Sequence, residues 1–402
     1  MENNLLKPRI RFKGFTEAWE QRELGKEGTT YTGLSGKTKD DFGHGNGAFV
    51  TYMNVFKNPI ANPSIIEPID IDNSQREIKY GDIFYTTSSE TPEEVGMSSI
   101  WMEKVANTYL NSFCFGYRLN ELEKYDLSFL AYNFRANTFR KNMVLLAQGI
   151  SRYNISKNKV MEIQTFVPVN KNEQHKIGDF LVKIDSLITL HQHKYEKLTH
   201  IKKSLLEKMF PADGHNIPKI RFKGFTESWE QRELNTFVDK AVDNRGKTPP
   251  TSPEGPHPLI EVAALGCGSP NYSKVEKYLD DYAFNNFLRD YIHEGDILFS
   301  TVGSIGDVSL MDSNENACIA QNIVAFRAKK NYYPKFLYSL FSTEHNQQIA
   351  LKIVMGAVQP SIKVSQLIDV EYSFLGNTQE QKRIGDLLYS LDTLITLHQR
   401  ER

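Results

Sequence analysis

The chain has 402 residues, beyond the size at which one hydrophobic core keeps growing, so two or more domains are expected. Its 40% hydrophobic, 11% aromatic and 24% charged residues are those of an ordinary globular protein; a formal net charge of −1 excludes a purely electrostatic nucleic-acid binder, but not basic residues gathered on one face. The opening MENNLLKPRI lacks a signal-peptide core, no apolar run approaches membrane-spanning length, and Cys114, Cys267 and Cys318 stand apart with no CxxC pair, so a cytoplasmic, reducing location with no membrane contact is expected, the cysteines serving as buried small hydrophobes.

Taken in chain order, the first feature is residues 8–24, PRIRFKGFTEAWEQREL. It has no catalytic signature, yet residues 218–234 repeat it, differing only at Arg9/Lys219 and Ala18/Ser228. Gly36-Lys37-Thr38 comes next and recurs as Gly246-Lys247-Thr248. A phosphate-binding P-loop needs a glycine five residues before that Gly and a helix directly after it. Tyr31 and Ala241 hold the glycine positions, and two prolines follow Thr248. An ATPase is therefore set aside. A basic loop touching a nucleic-acid backbone and a plain surface loop both remain.

The body after this loop reads as mixed α/β. Residues 48–55 and 82–86 are predicted strands, as are 296–300 in the second half. A Gly-Asp-Ile core recurs at Gly81-Asp82-Ile83 and Gly295-Asp296-Ile297. Residues 127–134 and 334–341 are predicted helices, and residues 243–258 a Gly/Pro/Asn-rich loop. Polar clusters follow the Gly-Asp-Ile strands: Thr86-Thr-Ser-Ser-Glu90 in one copy, Ser300-Thr-Val-Gly-Ser-Ile-Gly306 in the other. Arg152-Tyr153-Asn154 and Gln359-Pro360-Ser361 lie in matching places. Such side chains suit base edges and phosphates, and they equally suit turns and caps. The candidate DNA contacts are thus Lys37, Thr38, Lys39, Thr87, Ser88, Ser89, Arg152, Tyr153 and Asn154 in the first copy. In the second they are Arg245, Lys247, Thr248, Thr301, Ser304, Gln359 and Ser361.

Each copy closes on a helix, EQHKIGDFLVKIDSLITLHQHK from residue 173 and EQKRIGDLLYSLDTLITLHQRER from residue 380. A strict 4,3 spacing runs through Ile177, Leu181, Ile184, Ile188 and His191, continuing to Tyr195, Leu198, Lys202, Leu205 and Met209. Its counterpart is Ile384, Leu388, Leu391, Ile395 and His398. This is a coiled-coil seam. Pro211 and Gly214 are expected to stop the first helix, at a length of about 54 Å. His191 and His398 sit at equivalent seam positions and are read as register-setting polar residues, with pH sensing as the alternative. A second apolar flank is made by Phe180, Leu187, Leu190 and Ile201, echoed by Leu387, Leu394 and Leu397. That flank covers the neighbouring body or docks a partner protein.

The chain is therefore two copies of one unit, constant at its edges and different inside. Expected boundaries are 1–172 for the first body, 173–210 for the spacer helix, 211–379 for the second body and 380–402 for the second helix. No HExxH or paired histidine ligands and no Asn-Pro-Pro-aromatic or Asp-Pro-Pro-Tyr motif appear, which argues against metal catalysis or amino-methyl transfer by this chain.

PRIRFKGFTEAWEQREL, the Gly-Asp-Ile strand with Ser300-Thr-Val-Gly-Ser-Ile-Gly306, Gln359-Pro-Ser-Ile362 and EQxxIGDxLxxxDxLITLHQ together resemble the DNA-specificity subunit of type I restriction-modification systems, over essentially the whole chain. The resemblance implies an α+β protein. Two mixed α/β target-recognition domains, related by an internal pseudo-twofold repeat, would be separated by two long antiparallel coiled-coil helices. Each domain would read one half of a gapped, asymmetric double-stranded DNA target. The subunit would be non-catalytic and bind no cofactor. Two methyltransferase subunits would supply S-adenosylmethionine chemistry on adenine, and restriction/translocase subunits would bring ATP and Mg. Trp19 with Phe12 and Phe15, and Trp229 with Phe222 and Phe225, would anchor each body to the helices. Arg402 aligns with Tyr195 while the first helix runs on to Phe210, which bears on how much of the second methyltransferase contact is kept. The rival readings are a coiled-coil interaction adaptor without DNA specificity and a self-contained enzyme.

Overall fold

The computed structural model describes residues 8–400 other than 213, 245, 247–248, 267 and 355–359, and in it the duplication reappears strand by strand. Two units, Met1–Leu187 and Ile188–Arg402, follow one plan despite their unlike interiors.

In the first unit a four-stranded antiparallel sheet is ordered Gly28–Thr32, Cys114–Leu119, Ile83–Thr86, Ser98–Ile100. Beside it lies a three-stranded sheet, Ile66–Ile69, Phe42–Val50, Thr108–Leu110, whose last pair is parallel. The second unit repeats both: Val238–Asp243, Ile323–Ala328, Ile297–Ser300, Val308–Leu310, then Tyr278–Leu279, His257–Ile260, Cys318–Ile319, again with a parallel last pair.

The Gly-Asp-Ile strands sit inside these sheets and are buried on both faces. Side chains alternate across a strand: Ile83 and Tyr85 enter one core, while Phe84 enters another with Tyr31, Val50 and Trp101. Likewise Ile297 and Phe299 separate from Leu298. Each such aromatic or aliphatic side chain contributes about 1.5–3 kcal/mol on burial. The motif's aspartate is structural. Asp82 and Asp296 are 1% exposed; each caps the preceding turn through a backbone N–H, from Lys79 and His293, and accepts both arms of an arginine, Arg118 or Arg327. Gly81 and Gly295 adopt φ of +87° and +85°, a turn that L side chains resist.

One predicted element fails. The strand expected over 48–55 ends at Val50, and Tyr52–Lys57 is helical. Thr51 caps that helix by accepting the Asn54 N–H, and Arg135 donates to the Val55, Phe56 and Asn58 carbonyls at its far end. A cap and a distant cation override the β-branched pattern. The predicted helices appear as Leu127–Asn133 and Pro334–Phe341. Cys114 and Cys318 are buried, and burial pushes the Cys318 thiol up to about 12; Cys267 lies outside the described residues.

Candidate nucleic-acid interface and helix pair

The repeated opening segment is a clasp. Its strand, Glu20–Glu23 or Glu230–Glu233, pairs antiparallel with Gln164–Val167 or Glu371–Phe374. Just upstream, Arg11 forks onto Glu173 at 2.5 and 2.7 Å, and Arg221 onto Glu380 at 2.7 and 2.8 Å. Both glutamates are 0% exposed and lie at the start of the long helices. The next residue of each helix, Gln174 or Gln381, accepts the N–H of Asp126 or Tyr333 and donates to the Pro168 or Leu375 carbonyl. Aromatics complete the clasp: Trp19 meets Phe129 edge-on, Phe12 meets Phe180, and Trp229 leans on Phe336. Lys176 lies over Phe15 and Arg383 over Phe225. The anchoring role expected of these residues matches their packing.

The first long helix spans Lys171–Met209, 39 residues, about 58 Å; the second spans Thr378–Arg400. Helix termination after Met209 agrees with the Pro211 signal. Within the second unit the two run antiparallel: the His191 and His398 Nδ1 atoms lie 2.9 Å apart, and Lys202 pairs with Asp392. Of the seam residues, Ile384, Leu388 and Leu391 are buried with Phe336 and Tyr338 of their own body, and Leu198 and Leu205 pack on the same cluster. Ile177, Leu181, Ile184, His191, Ile395 and His398 are half-buried, and Ile188 is exposed. On the second flank Leu387 packs on the core, while Phe180, Leu187, Leu190, Leu394 and Leu397 are 42–55% exposed.

In the first unit the structure brings two of the predicted clusters together. Ser88 and Ser89 pair antiparallel with Asn154 and Tyr153. Arg152 is exposed, donates to the Ser88 hydroxyl at 3.3 Å and lies 5.5 Å from the Phe113 ring. Arg152, Ser88, Ser89 and Phe113 line an open cleft of about 700 Å³ with Tyr52, Met53 and Phe56, and with the carboxylates Glu90 and Glu94. Several predicted hydroxyls are committed to the fold. Ser88 and Ser89 are buried, Ser89 donating to Glu94. Thr87 donates its hydroxyl to the Phe113 carbonyl, as Thr301 does to Asn322. Each of these threonines also accepts the N–H of the matching isoleucine, Ile155 or Ile362. One stitch is thus made twice.

The remaining candidates are scattered. Lys37 pairs with Asp72 at 2.8 Å, which raises the ammonium pKa and holds the carboxyl well below its usual range. Thr38 closes a capping box with Asp41, and Lys39 is exposed on that turn. In the second unit Ser304 is exposed and Ser361 bridges Val302; Arg245, Lys247, Thr248 and Gln359 lie outside the described residues. Sequence reading missed the cleft's apolar lining, Met53 and Phe113, each about half exposed. Phe113, placed by the chain reversal before the Cys114–Leu119 strand, gave no signal in the sequence. Also missed was Arg135, whose pKa burial lowers to about 10. Among the described residues no group of His, Cys, Asp and Glu is placed to hold a metal ion, and no helix is long and apolar enough to cross a membrane.

The model of the type I restriction modification DNA specificity domain matches this chain twice, over residues 19–200 and 226–402. The chain belongs to that family. Specificity subunits of this family are non-catalytic, the complex's chemistry sitting on other subunits. A relative in Methanocaldococcus jannaschii, the type I restriction enzyme MjaVIII specificity subunit, is 26% identical over 57% of this chain and 56% of its own length. A candidate MjaX specificity subunit of the same organism is 24% identical over 96% of this chain and 89% of its own. The type I restriction-modification S subunit of M. genitalium matches the fold at a TM-score of 0.65 and 14% identity, covering 98% of this chain and 94% of that one. The specificity-subunit fold of two mixed α/β domains and long helices is therefore the one seen here.

Proposed function

We propose that this chain is the sequence-specific DNA-binding subunit of a type I restriction-modification complex, each body reading one half of a gapped, asymmetric duplex target. One observation carries the reading: two units share topology and clasp while the loops they present differ. Shared scaffolds with unlike loops suit an unlike pair of half-sites, since base contacts come from loop side chains and the frame only positions them. The central helix, continuous through both units' residues, acts as the spacer. Sites on one face of B-DNA recur every ~34–36 Å, which a helix of this length can span. Two methyltransferase subunits dock on exposed apolar flanks, Phe180 and Leu187 in the first unit and Leu190, Leu394 and Leu397 in the second, with restriction/translocase subunits joining the assembly. S-adenosylmethionine, ATP and Mg belong to those partners, and the complex works in the cytoplasm.

Purification with the methyltransferase partner, followed by selection from a random DNA library, tests this. A gapped two-part motif is expected. Partner binding with no salt-dependent duplex association would instead leave the interaction-adaptor reading.

A further inference from the structure

The loop that walls the Arg152 cleft has no full counterpart in the second unit. Two matched points bracket it. Thr87 and Thr301 are equivalent through their stitch to Ile155 and Ile362, and Gly96 and Gly306 each donate an N–H at 3.1 Å to the strand-end carbonyl of Thr86 or Ser300. Between these points the first unit has eight residues, 88–95, and the second has four, 302–305. The short loop reads Val-Gly-Ser-Ile and holds no acid; the long one carries Glu90, Glu93 and Glu94.

Glu94 is exposed, yet it is braced from two sides. Ser89, paired with Tyr153 across the strands, donates its hydroxyl to Glu94 Oε2 at 3.0 Å. Arg140 donates to the Glu93 and Val95 carbonyls on either side of Glu94, at 2.7 and 2.6 Å, and to Gly96 at 2.6 Å. At the matching place 207 residues on stands Gln347, which donates to the Gly306 carbonyl at 3.3 Å. A neutral amide thus serves the shared glycine in the second unit, while in the first a guanidinium also grips the extra turn. An exposed glutamate ordinarily keeps its rotamer freedom. Holding one rigid is unfavourable beside a phosphate, which repels it, and useful opposite a hydrogen-bond donor.

We propose, resting on the reading of this chain as a DNA-specificity subunit, that Glu94 determines specificity by accepting the N4 amino group of a cytosine in the half-site read by the first unit. Arg140 is its positioning residue. The major groove offers two exocyclic amino groups, on cytosine and on adenine. Beside the adenine amino group lies the N7 acceptor, which a carboxylate would face lone pair to lone pair; that edge suits an amide side chain. Beside the cytosine amino group lies only a C–H. Ser89 occupies Oε2, which leaves Oε1 to accept. Arg152, on the same cleft, takes a neighbouring phosphate and offsets the acid's repulsion.

The test is selection from a random duplex library by the chain assembled with its methyltransferase partner. The wild type is expected to require a C·G pair at one position that Glu94→Ala relaxes by about tenfold, with the other half-site intact. Arg140→Gln, which installs the second unit's residue, weakens that same position, and Glu90→Ala leaves the motif unchanged. Circular dichroism checks folding; Glu94 is exposed, so its variant decides should Arg140→Gln not fold. An unchanged motif with Glu94→Ala, accompanied only by tighter duplex binding as an acid is removed, overturns the proposal. So does relaxation confined to an A·T position, or relaxation caused by Glu90→Ala instead. A wild-type complex that selects no gapped motif is a different result, which overturns the proposed function and this inference with it.

Discussion

At the scale of single residues, the best-defined chemistry of this chain holds it together. Glu380 is fully buried and its partner Arg221 is 10% exposed at the side chain. Removing the carboxylate strands a guanidinium away from water, so Glu380→Ala is expected to cost about 3–5 kcal/mol in urea unfolding. Replacing both partners by apolar residues costs less. Arg152 is different: exposed, steadied by a serine hydroxyl and an aromatic face, it retains donors for a phosphate. In the proposed complex, Arg152→Ala lowers duplex affinity and reduces the salt slope by about one, checked by titrations across ionic strength. Lys37→Ala changes far less, because its ammonium is already held by Asp72.

At the scale of elements, glycine explains how the long helices lie against their bodies. A Cβ at Gly178 would come within 2.4 Å of the Phe129 nitrogen, and one at Gly385 within 2.6 Å of the Phe336 nitrogen. Backbone cannot yield as a side chain end can. Gly385→Ala should therefore lose about 1–3 kcal/mol, while Gly376→Ala, with open space around it, is neutral; thermal unfolding distinguishes them. The His191–His398 rung gives the opposite sign. Substituting leucine at both positions removes polar groups from a helix seam and raises the Tm of the second unit, measured calorimetrically.

The long helices and the repeat were legible in the sequence because period and copy number are local signals. Residues 48–55 misled because β-branched residues at 50, 51 and 55 outweighed Thr51 as a cap, and because Arg135, which finishes the helix, lies some 80 positions away. The hydroxyl clusters were legible as polar. Their burial was not, since the stitch of Thr87 to Ile155 depends on tertiary pairing.

At the scale of the whole molecule, the central helix contributes its residues up to Leu187 to one unit and from Ile188 to the other. Inserting seven residues between them adds about 10 Å of helix, roughly three base pairs. On the proposed function, methylation profiling then reports a lengthened gap with unchanged half-sites.

The clasp has a consequence for how such a protein can change. Gln174 and Gln381 grip their bodies through a backbone N–H, belonging to an aspartate in one case and a tyrosine in the other. A grip that ignores side-chain identity lets one body be exchanged for an unrelated one as a cassette, with new flanking joints unnecessary. On the proposed function, exchange of a body at the near-identical stretches on either side would then need no compensating change in this part of the frame.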